Sequence, residues 1–327
     1  MIRRIINKAL QQHDITIDEA NILINSGDDC FDELIQAANT LTRRYFGNKI
    51  SMCAIYAAKT GPCSGDCAFC AQSAHHNCDV ASVEISALNE NEILENAKEL
   101  WQSGVNRYSL VTSGENLTDA EFDRILSIFQ RLNRETEINL CASLGSLTLD
   151  RAARLKSVGV SRYHHNIETS RSYFPQICST HSYKDKINTI DIARQTGMEI
   201  CCGGIIAMGE TPAQRVEMAF ALKELNMDCV PINILNPIQG TRLECQKPLN
   251  VDEILRTIAV FRLILPDKVL KFAGGREKAL GDMEYSGYVA GINSLIVGNY
   301  LTTPGKSVNQ EIQNLEVAGY EVTFDRK

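Results

Sequence analysis

Short apolar, β-rich runs alternate with amphipathic helical segments through most of this 327-residue chain, and this alternation constrains the fold more than any other feature. Eight such runs begin near Ile50, Asn106, Glu137, Ser161, Glu199, Asp228, Lys268 and Asn293. A strand, a helix and a second parallel strand, repeated in this order, connect by right-handed crossovers. The sequence therefore predicts an α/β fold, a (β/α)8 barrel of the TIM type, with an open doubly wound sheet as the alternative.

Helix start signals and the flanking segments predict how the chain is divided. Thr118 with Glu121 has the pattern of a capping box ahead of the helix that follows the second strand. Residues 1–47 precede the first strand and predict an N-terminal helical extension. We expect the barrel over 48–305 and a helical or irregular C-terminal tail, packed on the barrel, over 306–327.

A cysteine motif directly follows the first predicted strand. Cys63, Cys67 and Cys70 are spaced as CxxxCxxC. Each iron of a four-iron, four-sulfur cube takes one terminal ligand, so three thiolates leave one iron open for a substrate or cofactor. In a parallel barrel, functional side chains gather in the loops after the strands, which is where this motif lies. The spacing therefore predicts a catalytic [4Fe–4S] cluster on these three cysteines.

Zinc is the alternative metal for the same loop. Cys67 and Cys70 form a C-x2-C pair, which is common in structural zinc sites. A further ligand could come from Cys53, His75, His76 or Cys78. The extra cysteine at a three-residue gap, without a matching pair elsewhere, favours iron over zinc. A redox dithiol is a weaker interpretation because it leaves Cys63 unexplained.

Charge and hydropathy exclude several classes of partner. The formal net charge is −7, whereas nucleic-acid binding depends on clustered Lys and Arg. The N-terminus lacks the long apolar run of a signal peptide, and no stretch is long enough to span a bilayer. We therefore expect a cytoplasmic protein without a nucleic-acid or membrane partner. Its twelve cysteines should then be free thiols or metal ligands rather than a disulfide framework.

Longer motifs accompany the cysteine loop. They are KTG at 59–61, QS at 72–73, YHHNIETS at 163–170, CCGGII at 201–206, GE at 209–210, VPIN at 230–233, GGRE at 274–277 and LTTP at 301–304. On these motifs the chain resembles the radical S-adenosylmethionine enzymes and, within them, the biotin synthase family over nearly its whole length. The resemblance implies a cluster whose open iron binds S-adenosylmethionine, which is cleaved to methionine and a 5′-deoxyadenosyl radical. The radical would remove hydrogen from dethiobiotin, and sulfur insertion would then give biotin.

The resemblance also implies an auxiliary iron–sulfur cluster, [2Fe–2S] or a variant, that supplies the inserted sulfur. Two of its ligand positions fall on Cys141 and Cys201. The other two depart from the family, because Ser109 stands in place of a cysteine and Lys271 in place of an arginine. Serine is a hard ligand for iron, and lysine lacks the planar fork of a guanidinium. We therefore expect a different auxiliary cluster at this site.

A third thiol could complete that auxiliary cluster. Cys178 and Cys202 are the two candidates, although successive strand residues point to opposite faces, so Cys202 requires a bulge next to Cys201. The remaining cysteines are expected to be structural thiols; they are Cys30, Cys53, Cys78, Cys229 and Cys245.

The resemblance further assigns small-molecule contacts. The cofactor contacts that it implies are Glu115, Asn166, Glu168, Gly204 and Ile205. The dethiobiotin contacts that it implies are His164, Asn166 and Asn233, with His164 standing where the family has an asparagine. Amides suit a ureido group because they both donate and accept hydrogen bonds.

Partners and alternatives follow from the same comparison. The resemblance implies a flavodoxin- or ferredoxin-type electron donor and a homodimer. One alternative is another radical S-adenosylmethionine enzyme, of the hydrogenase-maturase type, which would not account for Cys141, Cys201, Asn166 and Asn233 falling together on biotin-synthase positions. A second alternative, from a different class, is a zinc-stabilised barrel that binds a metabolite without radical chemistry.

Overall fold

A closed barrel of parallel β-strands forms the centre of the molecule, in a computed structural model that describes residues 1–300 and 305–323. The strands are β1 Lys49–Lys59, β2 Arg107–Thr112, β3 Asn139–Ser143, β4 Val160–His164, β5 Glu199–Cys201, β6 Gly204–Ile206, β7 Cys229–Ile234, β8 Val269–Phe272 and β9 Ser294–Val297. Pairing of β9 with β1 closes the ring. The predicted (β/α)8 barrel is therefore confirmed. The LTTP motif at 301–304 lies outside the described residues.

The fifth predicted strand is observed as two short strands, β5 and β6, and the residues between them lie close to β7. A Cβ added to Gly203 would be 1.9 Å from the carbonyl oxygen of Pro231. The backbone N–H of Cys202 donates to the carbonyl oxygen of Cys229 at 2.9 Å. Each of the other seven predicted strands corresponds to one observed strand.

Helices cover the outside of the barrel. They are α1 Ile2–Leu10, α2 Ile17–Ile24, α3 Phe31–Phe46, α4 Glu90–Gln102, α5 Asp119–Glu135, α6 Leu149–Ser157, α7 Phe174–Ile177, α8 Tyr183–Gln195, α9 Pro212–Glu224, α10 Val251–Ile264, α11 Arg276–Leu280, α12 Glu284–Val289 and α13 Val308–Val317. The capping box of Thr118 and Glu121 forms at the start of α5. Within the described ranges, none of these helices combines the length and the apolar character needed to cross a bilayer.

The helices at the N-terminus pack on the helical layer of the barrel. Helix α3 lies against α10, and α2 lies against α9. Arg262 of α10 is buried and donates to the carbonyl oxygens of Gly291, at 2.6 and 3.0 Å, and of Lys268, at 2.7 Å. These bonds satisfy buried carbonyl groups and connect α10 to the segments that precede β8 and β9.

The C-terminal segment is tied to the barrel by a strand pair and by a buried ion-pair group. Strand β10, Glu321–Val322, pairs with the beginning of β1. Arg276, at the start of α11, donates to Glu284 at 2.7 Å and to Glu311 at 2.6 Å. Because both carboxylates are buried, loss of the guanidinium would leave uncompensated charges, so this group holds α11, α12 and α13 together.

Gly203→Ala is expected to lower the free energy of unfolding by at least ~2 kcal/mol, because the new methyl group would overlap the backbone of β7. Gly27→Ala is the matched control, since no atom lies within 4 Å of a Cβ added there. The control should change stability by less than ~1 kcal/mol. Urea unfolding of the cluster-free protein, followed by circular dichroism, measures both. Equal unfolding midpoints for the two variants would contradict the close approach of β5 and β7.

Candidate active site

A cavity of ≈ 390 Å³ lies inside the barrel and extends from the middle of the strands to the loops after their carboxyl ends. Its outer part, here called the mouth, is lined by Cys70, Gln72, Asn166, Glu168, Asn233 and Tyr300. Its inner part, here called the deep pocket, is lined by Cys53, Ser109, Cys141, Arg162, Cys201 and Lys271. The mouth faces the cysteine loop, and the deep pocket is formed by side chains of the strands themselves.

The cysteine loop is held in shape by its own hydrogen bonds. The backbone N–H of Cys63 donates to the carbonyl oxygen of Gln72 at 2.7 Å, and the Gln72 side chain accepts from the N–H of Gly61 at 3.1 Å. A Cβ on Gly65 would lie 3.5 Å from Sγ of Cys63 and 3.8 Å from Sγ of Cys67. Glycine at this position therefore leaves the space beside the two thiols open.

The three loop thiols are suited to a cluster rather than to a single ion. The sulfur atoms of Cys63, Cys67 and Cys70 are not all within 4.8 Å of one another, as the ligands of one ion would be. In a four-iron cube, each thiolate binds a different iron, so the sulfur atoms lie farther apart. The three cysteines are half-buried, and Cys70 lines the mouth. These residues fit a cluster that faces the cavity.

Two amides at the mouth are fixed by backbone contacts. The Oδ1 atom of Asn166 accepts from the N–H of Gly203 at 3.0 Å. Asn233 accepts from the N–H of Gly274 at 3.0 Å and donates to the carbonyl oxygen of Gly204 at 3.2 Å. Both side chains line the cavity with restricted orientations, which suits recognition of a polar ligand.

Glu168 and Gly204 form a close backbone junction at the mouth. Glu168 adopts a left-handed conformation, with φ of 68°, and its carbonyl oxygen accepts from the N–H of Ile205 at 2.8 Å. A Cβ on Gly204 would lie 2.5 Å from that carbonyl oxygen. A non-glycine residue with positive φ stores strain, which is frequent at functional sites. The Glu168 carboxylate lies 3.9 Å from Nζ of Lys186 and lines the cavity.

The structure brings most of the predicted small-molecule contacts together. Five of them line the cavity, namely His164, Asn166, Glu168, Ile205 and Asn233. Gly204 supports this group through its backbone. Glu115 differs, because its side chain is exposed and it is not among the described residues that line the cavity. Its carbonyl oxygen instead accepts from the N–H of Ser146 at 2.8 Å.

Three thiols and one ammonium group meet in the deep pocket. The thiols belong to Cys53, Cys141 and Cys201, all buried. Lys271 Nζ lies 3.0 Å from Sγ of Cys53 and 3.8 Å from Sγ of Cys201. Cys53 was expected to be a structural thiol, but it faces the lumen. Because it pairs with Arg107, two residues before Ser109, it lies on the same face of the sheet as Ser109.

Electrostatics in the deep pocket favour an anionic sulfur at Cys201, whereas burial raises the pKa of Cys141. A hydrogen bond with Cys229 and the charges of Lys271 and Arg162 lower the pKa of Cys201 to about 7, although burial opposes this. Burial also acts to lower the pKa of Lys271, but the neighbouring sulfur atoms of Cys201, Cys229 and Cys53 hold it well above its ordinary value. The pocket therefore pairs the thiol of Cys201 with a buried cation, and the same cation would stabilise an anionic metal–thiolate cluster.

His164 and Ser109 also line the cavity near these thiols, and neither of them offers a sulfur atom. Burial lowers the pKa of His164 to about 4, and the charge of Lys271 adds to this, so the imidazole is neutral near pH 7. The hydroxyl of Ser109 is buried without a hydrogen-bond partner among the described residues. An orphaned polar atom on a cavity wall is typical of a pocket that receives a polar or ionic group.

Neither candidate for the third auxiliary ligand lies in the cavity. Cys202 points away from Cys201, as strand alternation requires, and is buried in the core outside the lumen. Cys178 lies against the cysteine loop, with its Sγ 3.9 Å from Sγ of Cys67. The third thiol that lines the deep pocket is that of Cys53. Its place on the lumen face follows from the register between β1 and β2, which the sequence alone does not give, and the position of Cys178 follows from a contact between two distant loops.

Comparisons with known proteins agree with this geometry. The radical SAM superfamily model matches residues 59–222, and the biotin and thiamin synthesis associated domain matches 231–321. A biotin synthase from Acetivibrio thermocellus is 47% identical over 316 residues, covering 97% of this chain and 98% of the relative. The chain belongs to the biotin synthase family. A second member, from Carboxydothermus hydrogenoformans, is 48% identical over 291 residues, covering 88% of this chain and 89% of the relative.

Solved structures show how widely the barrel is shared beyond the biotin synthase family. Methylornithine synthase superposes with a TM-score of 0.85 at 18% identity, covering 98% of this chain and 97% of that one. The FeFe-hydrogenase maturase HydG from Carboxydothermus hydrogenoformans gives a TM-score of 0.84 at 17% identity, covering 99% of this chain and 79% of that one. At such identities the likeness shows the fold alone. The hydrogenase-maturase alternative therefore gains no support beyond the barrel.

Proposed function

We propose that this chain inserts sulfur into dethiobiotin to form biotin, using S-adenosylmethionine and two iron–sulfur clusters. The observation that carries the proposal is the arrangement of one cavity between two sets of thiols. The cysteine loop lies at the mouth, and the thiols of the deep pocket lie at the other end. A substrate between them would be next to both a radical source and a sulfur source. Family membership supports the same chemistry.

Cys63, Cys67 and Cys70 would hold the first cluster. When bound, that cluster supplies the electron that cleaves S-adenosylmethionine to methionine and a 5′-deoxyadenosyl radical. The protein contributes binding and orientation. Glu168, with its strained backbone beside Gly204, would position the cofactor at the mouth. The apolar walls above the deep pocket, including Ile205, would exclude water from the reacting centre.

Dethiobiotin would lie deeper in the cavity than S-adenosylmethionine. Asn166 and Asn233 present amide groups to the lumen while their other bonds are made to the backbone. His164, neutral near pH 7, can donate through one ring nitrogen and accept through the other. These three side chains would bind the ureido group and hold the carbon chain of the substrate between the two sets of thiols.

Cys53, Cys141 and Cys201 would hold the auxiliary cluster, with Lys271 as its buried counter-ion. The donor set fits, because three thiolates are soft ligands for iron and a cation lies within 3.8 Å of two of them. Cys53 thus replaces the thiol that Ser109 lacks, from the neighbouring strand. The inserted sulfur atom would come from this cluster. We also predict that the electron donor is of the flavodoxin or ferredoxin type and that the protein is a homodimer.

Product analysis tests the function. Cluster-reconstituted protein is incubated without oxygen with dethiobiotin, S-adenosylmethionine and a reductant, and we expect both biotin and 5′-deoxyadenosine. Reactions without dethiobiotin provide the control for uncoupled cofactor cleavage. Deoxyadenosine that forms without biotin would reject the substrate and leave the radical chemistry in place. A colourless protein with stoichiometric zinc and neither product would support the non-radical alternative.

A further inference from the structure

We propose that Cys67, Cys178 and His181 form a binding site for one thiophilic divalent cation, such as Zn²⁺, in molecules whose cysteine loop carries no iron–sulfur cluster. One nitrogen or sulfur atom from each of these residues lies within 4.8 Å of the others, the one such group of three among the described residues. The site lies beside the cysteine loop, and Cys178 and His181 come from the loop between α7 and α8. Among the residues that the structure describes, those that line the cavity include neither Cys178 nor His181.

The distances match the edges of a single tetrahedral site. Sγ of Cys67 lies 3.9 Å from Sγ of Cys178. Sγ of Cys178 lies 3.4 Å from Nδ1 and 3.5 Å from Nε2 of His181. A tetrahedral zinc ion with ordinary Zn–S and Zn–N bonds has edges of about 3.8 Å between sulfur atoms and about 3.5 Å between sulfur and nitrogen. The sulfur–sulfur spacing therefore admits one ion. Because Sγ of Cys178 is almost equidistant from the two ring nitrogens, the imidazole of His181 would turn to bring Nε2 onto that ion.

A second set of contacts orients the ligands. The hydroxyl of Thr180 lies 3.4 Å from Nδ1 of His181, so a bond between them leaves Nε2 for the metal. Such outer contacts, which fix the histidine tautomer, are usual around protein-bound metals. The carboxylate of Asp66 accepts from the backbone N–H of Ser179 at 2.8 Å and from that of Thr180 at 3.1 Å.

The two loops that supply the ligands are joined independently of any metal. The N–H of Ala68 donates to the carbonyl oxygen of Ile177 at 2.8 Å. Arg242 donates to the carbonyl oxygens of Asp66, at 2.8 Å, and of Ile177, at 2.9 Å. The two loops are therefore already held together, and binding would require little ordering of the backbone.

The cation and the cluster would exclude each other, because Cys67 belongs to both sites. In the cube, Cys67 binds one iron and the neighbouring thiolates bind other irons. At 3.9 Å from Cys67, Cys178 instead shares a single ion with it. Two thiolates and a neutral imidazole balance the charge of a divalent cation, and the carboxylate of Asp66, whose Oδ1 lies 3.2 Å from Sγ of Cys178, adds one negative charge beside the site. The inference is independent of the substrate of the enzyme.

Cobalt binding tests the site, because Co²⁺ occupies tetrahedral thiolate sites and is coloured in them. The cluster-free full-length chain carries Cys63→Ala and Cys70→Ala, so that the loop retains Cys67 alone. It also carries Cys53→Ala and Cys201→Ala, so that the deep pocket keeps only one of its three thiols and does not compete for cobalt. We expect one equivalent of Co²⁺ with tetrahedral thiolate absorption. Adding Cys178→Ser should weaken binding by at least ~10-fold, and His181→Ala should do the same. Cys245→Ser, at an exposed cysteine, should leave it unchanged.

Cobalt binding that survives both Cys178→Ser and His181→Ala would overturn the proposal. His181 is half-buried, so its alanine variant keeps the test valid if Cys178→Ser fails to fold. Competition gives a second readout without substrate. Prior addition of Zn²⁺ should slow cluster reconstitution in the wild-type chain at least ~10-fold more than in Cys178→Ser. Equal inhibition of the two chains would contradict the proposal that Cys67 is a ligand of both the cation and the cluster.

Discussion

Replacing Cys53 with alanine is expected to abolish biotin formation while S-adenosylmethionine is still cleaved. Cys53 supplies one of three thiols in the deep pocket, and its Sγ is 3.0 Å from the buried ammonium group of Lys271. Loss of an outer contact at a metal site already costs 10- to 100-fold, so loss of a ligand should cost more than ~100-fold. The cysteine loop is untouched, so 5′-deoxyadenosine should form at a rate within ~3-fold of wild type.

Iron and sulfide analysis of the same variant separates ligand loss from misfolding. Cys53→Ala should retain the iron of one cube and lose the iron of the auxiliary cluster. Cys245→Ser is the control, because that cysteine is exposed, and it should retain both metal contents and full biotin yield. Wild-type biotin yield from Cys53→Ala would instead make Cys53 the structural thiol that the sequence suggested.

Replacing Cys67 with alanine is expected to abolish both products. The cube would lose one of its three protein ligands, and no electron would reach S-adenosylmethionine, so 5′-deoxyadenosine and biotin should both fall to background. The visible iron–sulfur absorption of the loop cluster should be lost, while the iron bound by the deep pocket stays. Anaerobic absorption spectra and product analysis measure these changes.

Cys30→Ala serves as the control for Cys67→Ala, because Cys30 lies at the start of α3, in the N-terminal helices. It should retain the cluster absorption and both products. Deoxyadenosine formation by Cys67→Ala at more than ~10% of the wild-type rate would contradict the assignment of Cys67 as a ligand required for cleavage. Because Sγ of Cys178 lies 3.9 Å from Sγ of Cys67, Cys67→Ala combined with Cys178→Ala would show whether Cys178 accounts for such activity.

The barrel and the cysteine loop could be predicted from the sequence because both depend on local patterns. Apolar runs that alternate with capped helices determine the strand order, and the spacing of Cys63, Cys67 and Cys70 is itself a ligand motif. The division of the fifth strand was not predicted, and Gly203, in the interruption, contacts Pro231 on a different strand. Local pattern carries no information about such a contact.

The deep pocket was predicted in part. Cys141 and Cys201 were placed by family position, and both line the lumen. The sequence offers Cys202, next to Cys201, and Cys178, in the loop after the fourth strand, as the third thiol, whereas strand pairing brings Cys53 to the lumen. Register between β1 and β2 decides which face Cys53 occupies, and register depends on the closed barrel as a whole.

The origin of the inserted sulfur atom tests the central claim most directly. The protein is reconstituted with iron and heavy-isotope sulfide, freed of excess sulfide, and allowed one turnover with dethiobiotin, S-adenosylmethionine and a reductant. If the thiols of the deep pocket hold the sulfur source, the biotin should carry the heavy isotope, and Cys53→Ala should give no labelled biotin. Biotin with sulfur of natural isotopic composition would contradict the account, because the sulfur would then come from outside the auxiliary cluster.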